Sequence, residues 1–203
     1  ISVGAMGIII GLLALEYELI SQRLFVAIVL MALVTSMISG PMVQLVLGRR
    51  KPRTVADYLA PATYSDELSA TTWKDAIREL AGLAAKKCRV DRETIAQAVQ
   101  SREEIMPTGI GNGVAVPHAR LSEIKAPVVA LGISEAGVDF DAPDGEAVHV
   151  IFLILTPRKE DGSQLDIISS IGRSFHDHEV SQHVMRASNL TEVLAIVRGE
   201  AEV

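Results

Sequence analysis

Residues 102–120, REEIMPTGIGNGVAVPHAR, concentrate the side chains of this sequence that are suited to anion chemistry. A neutral imidazole is a nucleophile toward a phosphoryl donor near neutral pH. It works best when its other ring nitrogen donates to a fixed acceptor that sets the tautomer. His118 follows Pro117, which restricts the local backbone, and is expected to end a short apolar strand, VAV, at a sheet edge. A transferred phosphoryl group needs donors around its oxygens. Arg102, Thr108 and the backbone amides of Gly109, Gly111, Asn112 and Gly113 are the candidates, because small residues let N–H groups converge on an anion without Cβ interference. The glycines alone suit an ordinary loop. They are not a Walker loop, since no GK[ST] follows, nor a dinucleotide fingerprint, since VAV and a proline stand where the phosphate-binding helix would begin.

Other reactive side chains carry weaker signals. His176, Asp177, His178 and His183 are spaced so as to point apart, so a solvated turn and no metal site are expected. His149 lies in an apolar run and is expected to be a hydrogen-bonded core residue. Arg120, beside His118, suits phosphate or partner binding and equally a surface charge. Cys88 is the only cysteine, which excludes an internal disulfide and predicts a structural thiol. No cofactor motif is present, and none is expected.

The elements that must position these residues follow from periodicity. Thr72 with Asp75 forms a capping box before Trp73, Ile77, Leu80 and Leu83, which share one face of a helix over about 73–87. Asp91 caps a second helix, and SREE (101–104) is expected to begin a turn into the glycine stretch. PVVALGIS (127–134) and AVHVIFLILTP (147–157) read as strands, the second covered on both faces. After Pro157 the helical period returns through Leu165, Ile168, Ile171, Phe175, Val180, Val184, Val193, Leu194 and Val197. The expected fold class is α/β, a mixed sheet flanked by helices.

The 203 residues are 49% hydrophobic with a net charge of −6, but the chain is two unlike pieces. Only Glu16 and Glu18, against five bases, lie in the first 53 residues, which leaves the other 150 with a balance of −9. An acidic domain of that size can bury its own core and is a poor nucleic-acid binder. Leu24 to Gly48 carries no charged residue, long enough to cross a bilayer as a helix. The upstream run ISVGAMGIIIGLLAL is too short to span, so one partial and one complete transmembrane-type helix are expected. A signal peptide is disfavoured, because a basic leading region and a small-residue cleavage site are both missing. GRRKPR (48–53) predicts a cytoplasmic flank and a cytoplasmic acidic domain. The expected organisation is membrane helices over 1–50, a linker over 51–65, and a domain over 66–203.

The pattern R-x5-TGIGNGVAVPH resembles the active-site segment of the mannitol/fructose-class IIA domains of the bacterial sugar phosphotransferase system, a class that includes the nitrogen-regulatory IIA protein. The resemblance covers about residues 60–200. It implies a mixed α/β sandwich in which His118 accepts phosphate from the phosphocarrier HPr or its paralogue and Arg102 neutralises the phosphoryl group. Members usually carry a second histidine after the long buried strand, where this chain has Gln164. Glutamine can donate through its amide but cannot share a proton, which weakens onward transfer to a IIB domain. Residues 11–47 resemble the last two helices of a bacterial cation:proton (sodium/hydrogen) antiporter, whose ion-binding carboxylates lie on earlier helices. The resemblances imply a bacterial inner-membrane protein whose IIA-type domain receives phosphate and regulates an attached antiporter. The alternatives are a sugar-uptake component serving a IIB domain and a regulatory module that is never phosphorylated.

Overall fold

The computed structural model describes residues 3–47, 53–159 and 162–200, which form two units divided near residue 51. The basic residues Arg49, Arg50 and Lys51 lie outside the described residues.

In the first unit, helix α1 (Val3–Glu16) and helix α2 (Gln22–Leu47) form a hairpin. Between Leu24 and Leu47 α2 has no charged side chain, and over Gln22–Gly40 its mean hydropathy is 2.0 with none of that stretch buried. It is long and apolar enough to cross a bilayer. Two of its hydroxyls turn back onto the helix: Thr35 Oγ1 donates to the Met31 carbonyl at 2.8 Å and Ser39 Oγ to the Thr35 carbonyl at 2.6 Å. That is how hydroxyls are satisfied on an apolar helix.

The second unit is built on a six-stranded sheet. Its strands are β1 (Tyr64–Ser65), β2 (Gly109–Gly111), β3 (Val114–Ala115), β4 (His118–Leu121), β5 (Val128–Val138) and β6 (Val148–Pro157). They run in the order β1-β5-β6-β3-β2, with β4 also paired to β6. β5 and β6 are antiparallel, while β3 and β4 each run parallel to β6, so the sheet is mixed. Helices α3 (Trp73–Cys88) and α4 (Arg92–Ile105) cover one face, and α5 (Ser163–Ser174), α6 (His178–Arg186) and α7 (Leu190–Arg198) the other. Strand β6 shows why its sequence is a continuous apolar run. Ile151, Leu153 and Leu155 enter the α3–α4 layer while Val150, Phe152 and Ile154 enter the α5–α7 layer, all fully buried. Burying such a side chain contributes about 1.5–3 kcal/mol, so β6 is central to the core of the domain.

The local start signals are in place. Thr72 Oγ1 accepts the Asp75 N–H at 3.2 Å, and Asp91 accepts the Glu93 and Thr94 N–H groups at 3.0 and 3.1 Å. Two expectations need correction. Ser101–Glu104 is not a turn: α4 continues through it to Ile105, which puts Arg102 and Glu103 on a rigid helix. Residues 53–65 are not a free linker. Val55, Ala56 and Leu59 are buried against the α5–α7 layer, the Val55 N–H donates to Ser170 Oγ at 3.0 Å, and Tyr64–Ser65 pairs with β5. Pro61 and the small polar residues hide that three- and four-residue apolar spacing.

Candidate functional site

His118 opens β4 rather than ending the strand before it. The apolar segment 114–121 breaks at Pro117, and both halves lie parallel to β6. The Pro117 carbonyl accepts the Ile154 N–H at 2.9 Å, and among the described residues β6 is the only strand paired with β4, so His118 does stand at a sheet edge. Its ring Nδ1 lies 2.9 Å from the Val116 carbonyl oxygen. A carbonyl can only accept, so Nδ1 carries the proton and Nε2 keeps its lone pair. Burial holds the His118 imidazole below its ordinary pKa, the Val116 carbonyl partly offsets this, and the cations of Arg102 and Arg120 push it further down. The ring is therefore neutral at pH 7, with the Nε2 lone pair available.

Arg102 comes from the last turn of α4. Its Nη1 is buried without a hydrogen-bond partner among the described residues, and Nη2 reaches only the weakly accepting Met106 sulfur at 3.8 Å. A buried, unsatisfied guanidinium nitrogen costs about 1–3 kcal/mol, and an incoming anion would remove that cost. Gln164 comes from the first turn of α5, in the opposite helix layer. Its Oε1 accepts from Arg120 Nε at 2.9 Å and from Thr156 Oγ1 at 3.4 Å. The register explains this, because Arg120 pairs with Thr156 on β6. His118, Arg102, Arg120 and Gln164 thus form one cationic site astride the sheet edge. Ile105, Met106 and Leu165, which adjoin these residues in the chain, are 80, 58 and 64% exposed.

The glycine stretch is not the anion nest its composition suggests. Residues 109–115 fold as an antiparallel hairpin whose tip is Gly111–Gly113. Val114 pairs with Val150 and His118 with Ile154, so the tip lies four residues, roughly 13 Å, back along β6 from His118. The Asn112 N–H is taken by Asp144 Oδ2 at 2.8 Å, and the Asn112 side chain donates to the Phe175 carbonyl at 3.2 Å. The N–H of Glu146, and after it the N–H of Asn112, donate to the Asp144 carboxyl and hold it below its usual range. Gly111 and Gly113 serve the turn, with φ of +87° and +73°. Gly109 serves a close approach: a Cβ there would lie 2.9 Å from the Ala142 backbone. Thr108 is buried, and both its N–H and its hydroxyl go to Glu103. Thr108, Gly109, Gly111, Asn112 and Gly113 therefore build the support under the site: the Thr108 N–H and hydroxyl are committed to Glu103, and the 111–113 tip stands away from His118.

The remaining histidines lie elsewhere. His149 is hydrogen-bonded as expected, Nδ1 2.8 Å from the Ser134 carbonyl, but it is half-buried and lies outside the core. With His178, Asp66, Glu67 and Glu135 it lines a cleft of about 590 Å³ that shares no residue with the His118 site. No group of three or more metal-ligating side chains suited to an ion occurs among the described residues. Cys88 is free and half-buried.

Known proteins bear on this geometry. The family described as the phosphoenolpyruvate-dependent sugar phosphotransferase system, EIIA 2, matches residues 61–199. The fructose-specific EIIA component of Haloferax volcanii is 35% identical over 130 residues, 62% of this chain and 84% of that protein. The nitrogen regulatory protein of Pseudomonas aeruginosa is 32% identical over 125 residues, 61% of this chain and 81% of its own length. Against the fructose-specific EIIABC component of Bacillus subtilis the chain matches only 17% of that longer protein. In three dimensions, the nitrogen regulatory protein IIA-Ntr of Neisseria meningitidis superposes with a TM-score of 0.67 at 27% identity, covering 70% of this chain and 98% of that one. The Escherichia coli IIA mannitol domain, at 22% identity and a TM-score of 0.60, shares the fold. The chain therefore belongs to the EIIA type 2 family of the phosphoenolpyruvate-dependent sugar phosphotransferase system.

Proposed function

We propose that His118 is the phosphoryl acceptor of this chain and that an HPr-like phosphocarrier is the donor. The observation that carries the reading is the pairing of an unprotonated Nε2 on His118 with a buried, unpartnered Nη1 on Arg102. In the transfer, the Nε2 lone pair forms the new N–P bond as the donor's N–P bond breaks and its electron pair returns to the donor. The proton stays on Nδ1, donated to the Val116 carbonyl, and the imidazolium-like charge that develops is spread over the ring. Arg102 and Arg120 neutralise the phosphoryl oxygens, and the exposed Ile105, Met106 and Leu165 offer the donor an apolar landing surface.

The purpose we infer is regulatory. The apolar α1–α2 hairpin and the antiporter-like sequence of residues 11–47 support a bacterial inner-membrane location with the IIA domain in the cytoplasm. There the phosphorylation state of His118 would report phosphotransferase flux to an attached cation:proton antiporter. Gln164 favours this over sugar uptake through a IIB domain. Its carbonyl is engaged by Arg120 and Thr156, and an amide has no proton to exchange with a departing phosphoryl group. The test is to incubate the full chain in detergent with phosphoenolpyruvate, enzyme I and HPr, and to look for acid-labile phosphate by mass spectrometry. Wild type gains one phosphoryl group and His118→Ala gains none. A wild type that stays unmodified removes the acceptor reading, and rapid discharge to added IIB domains replaces regulation with uptake.

A further inference from the structure

Glu103 is the only charged residue buried among the described residues, 5% exposed, and it lies next to Arg102 in the chain. An ionised carboxylate is retained inside a protein only where hydrogen bonds compensate its lost hydration. Both oxygens are used on one residue: Oε1 accepts the Thr108 N–H at 2.7 Å and Oε2 the Thr108 hydroxyl at 2.6 Å. The Thr108 carbonyl then accepts the Val116 N–H at 3.0 Å, and the Val116 carbonyl accepts from His118 Nδ1 at 2.9 Å. The series is unbroken from the carboxylate to the imidazole. It also joins two elements, because Glu103 sits on α4 beside Arg102 while Val116 leads into β4. An apolar residue at 103 could fill the same space but would orphan the Thr108 N–H, which is buried and has no strand partner at the helix-to-strand crossing.

We propose that Glu103 is a positioning residue: through Thr108 and Val116 it holds His118 in the tautomer that leaves Nε2 unprotonated, and it fixes the Arg102 helix end against the His118 strand. This rests on His118 being the phosphoryl acceptor. A merely structural role would lower the melting temperature without changing the ring in the molecules that remain folded. The relay predicts a change in the ring itself.

The experiment uses the full chain in detergent with ¹⁵N-labelled histidine, and compares wild type with Glu103→Ala, Glu103→Gln and Thr108→Val. Long-range ¹H–¹⁵N spectra read the His118 tautomer, and phosphorylated HPr reads the acceptance rate. Wild type is expected as a single Nδ1–H tautomer. Glu103→Ala is expected as a tautomer mixture, with acceptance slower by roughly 10- to 100-fold, by analogy with the range for outer-shell partners of metal-ligating histidines. Glu103→Gln still accepts from the Thr108 N–H and can donate to its hydroxyl, so it recovers most of both signals. Thr108→Val falls between, and with Glu103→Gln it carries the comparison if Glu103→Ala does not fold. Folded Glu103→Ala or Thr108→Val protein with wild-type His118 nitrogen shifts overturns the proposal. A wild type that takes no phosphate overturns the acceptor reading instead, while the tautomer spectra still decide on the relay.

Discussion

Replacing Arg102 by methionine should separate function from stability. The native Nη1 is buried without a partner, so folding gains nothing from that nitrogen and carries its desolvation cost, about 1–3 kcal/mol. Methionine keeps much of the unbranched stem and removes the unsatisfied donor. Losing the cation that favours the buried Glu103 carboxylate offsets this gain, so Arg102→Met should melt within a few degrees of wild type, given about 2–4 °C per kcal/mol for a chain of this size. Phosphoryl acceptance should fall. A hydrogen bond between a guanidinium and a phosphoryl oxygen is worth about 1.5–3 kcal/mol, which corresponds to a loss of roughly 10- to 150-fold. The same change removes a cation that depresses the imidazole, so the His118 pKa should rise. Differential scanning calorimetry, an initial-rate assay with phosphorylated HPr and a histidine NMR titration measure the three quantities. A variant that loses several degrees of melting temperature while accepting phosphate at the wild-type rate would refute the assignment of Arg102 as a waiting anion ligand.

Three further outcomes are expected. Acceptance by His118 should stay level from pH 8 down through about 6.5 and fall only below that, because its folded-state pKa is depressed. By linkage, the stability due to this group is intact above about 6.5 and is lost as pH falls from there toward the folded value; a profile with its midpoint at or above 6.5 contradicts the geometry. Gly109→Ala should destabilise the domain by about 1–3 kcal/mol in a denaturant titration, since its Cβ would lie 2.9 Å from the Ala142 backbone and backbone cannot swing aside; an unchanged midpoint would mean the hairpin packs elsewhere. Gln164→His should raise the rate of phosphate discharge from phosphorylated protein to a IIB domain, read by loss of label, and an unchanged rate would show that Gln164 is not what slows transfer.

Much of this architecture was legible in the residues. Thr72 and Asp91 announce their helices because capping is local chemistry, and the run at 148–157 announces a strand buried on both faces because no polar side alternates with the apolar one. The errors arose where long-range partners decide. SREE looks like a polar turn, yet Glu103 is helical and buried because Thr108, five residues on and across a helix end, supplies both donors. The glycines at 109, 111 and 113 look alike in sequence, but one makes room for Ala142 and two serve a turn held by Asp144. His118 and Arg102 stood out by type and spacing. Arg120 took its place only when the register set it opposite Thr156 and within reach of Gln164.

The backbone beneath His118 is pinned from two sides, by Thr108 onto Val116 and by Pro117 onto the fully buried β6. A phosphoryl group adds about −1.5 to −2 charges to a frame that has no slack to move. On the proposed function, the two states of the domain would then present the same contour and differ in surface potential. A partner that docked on Ile105, Met106 and Leu165 would keep those apolar contacts in both states and would tell them apart by counter-charge. Such discrimination is graded by ionic strength, so the same domain would signal more sharply in dilute medium than in concentrated salt.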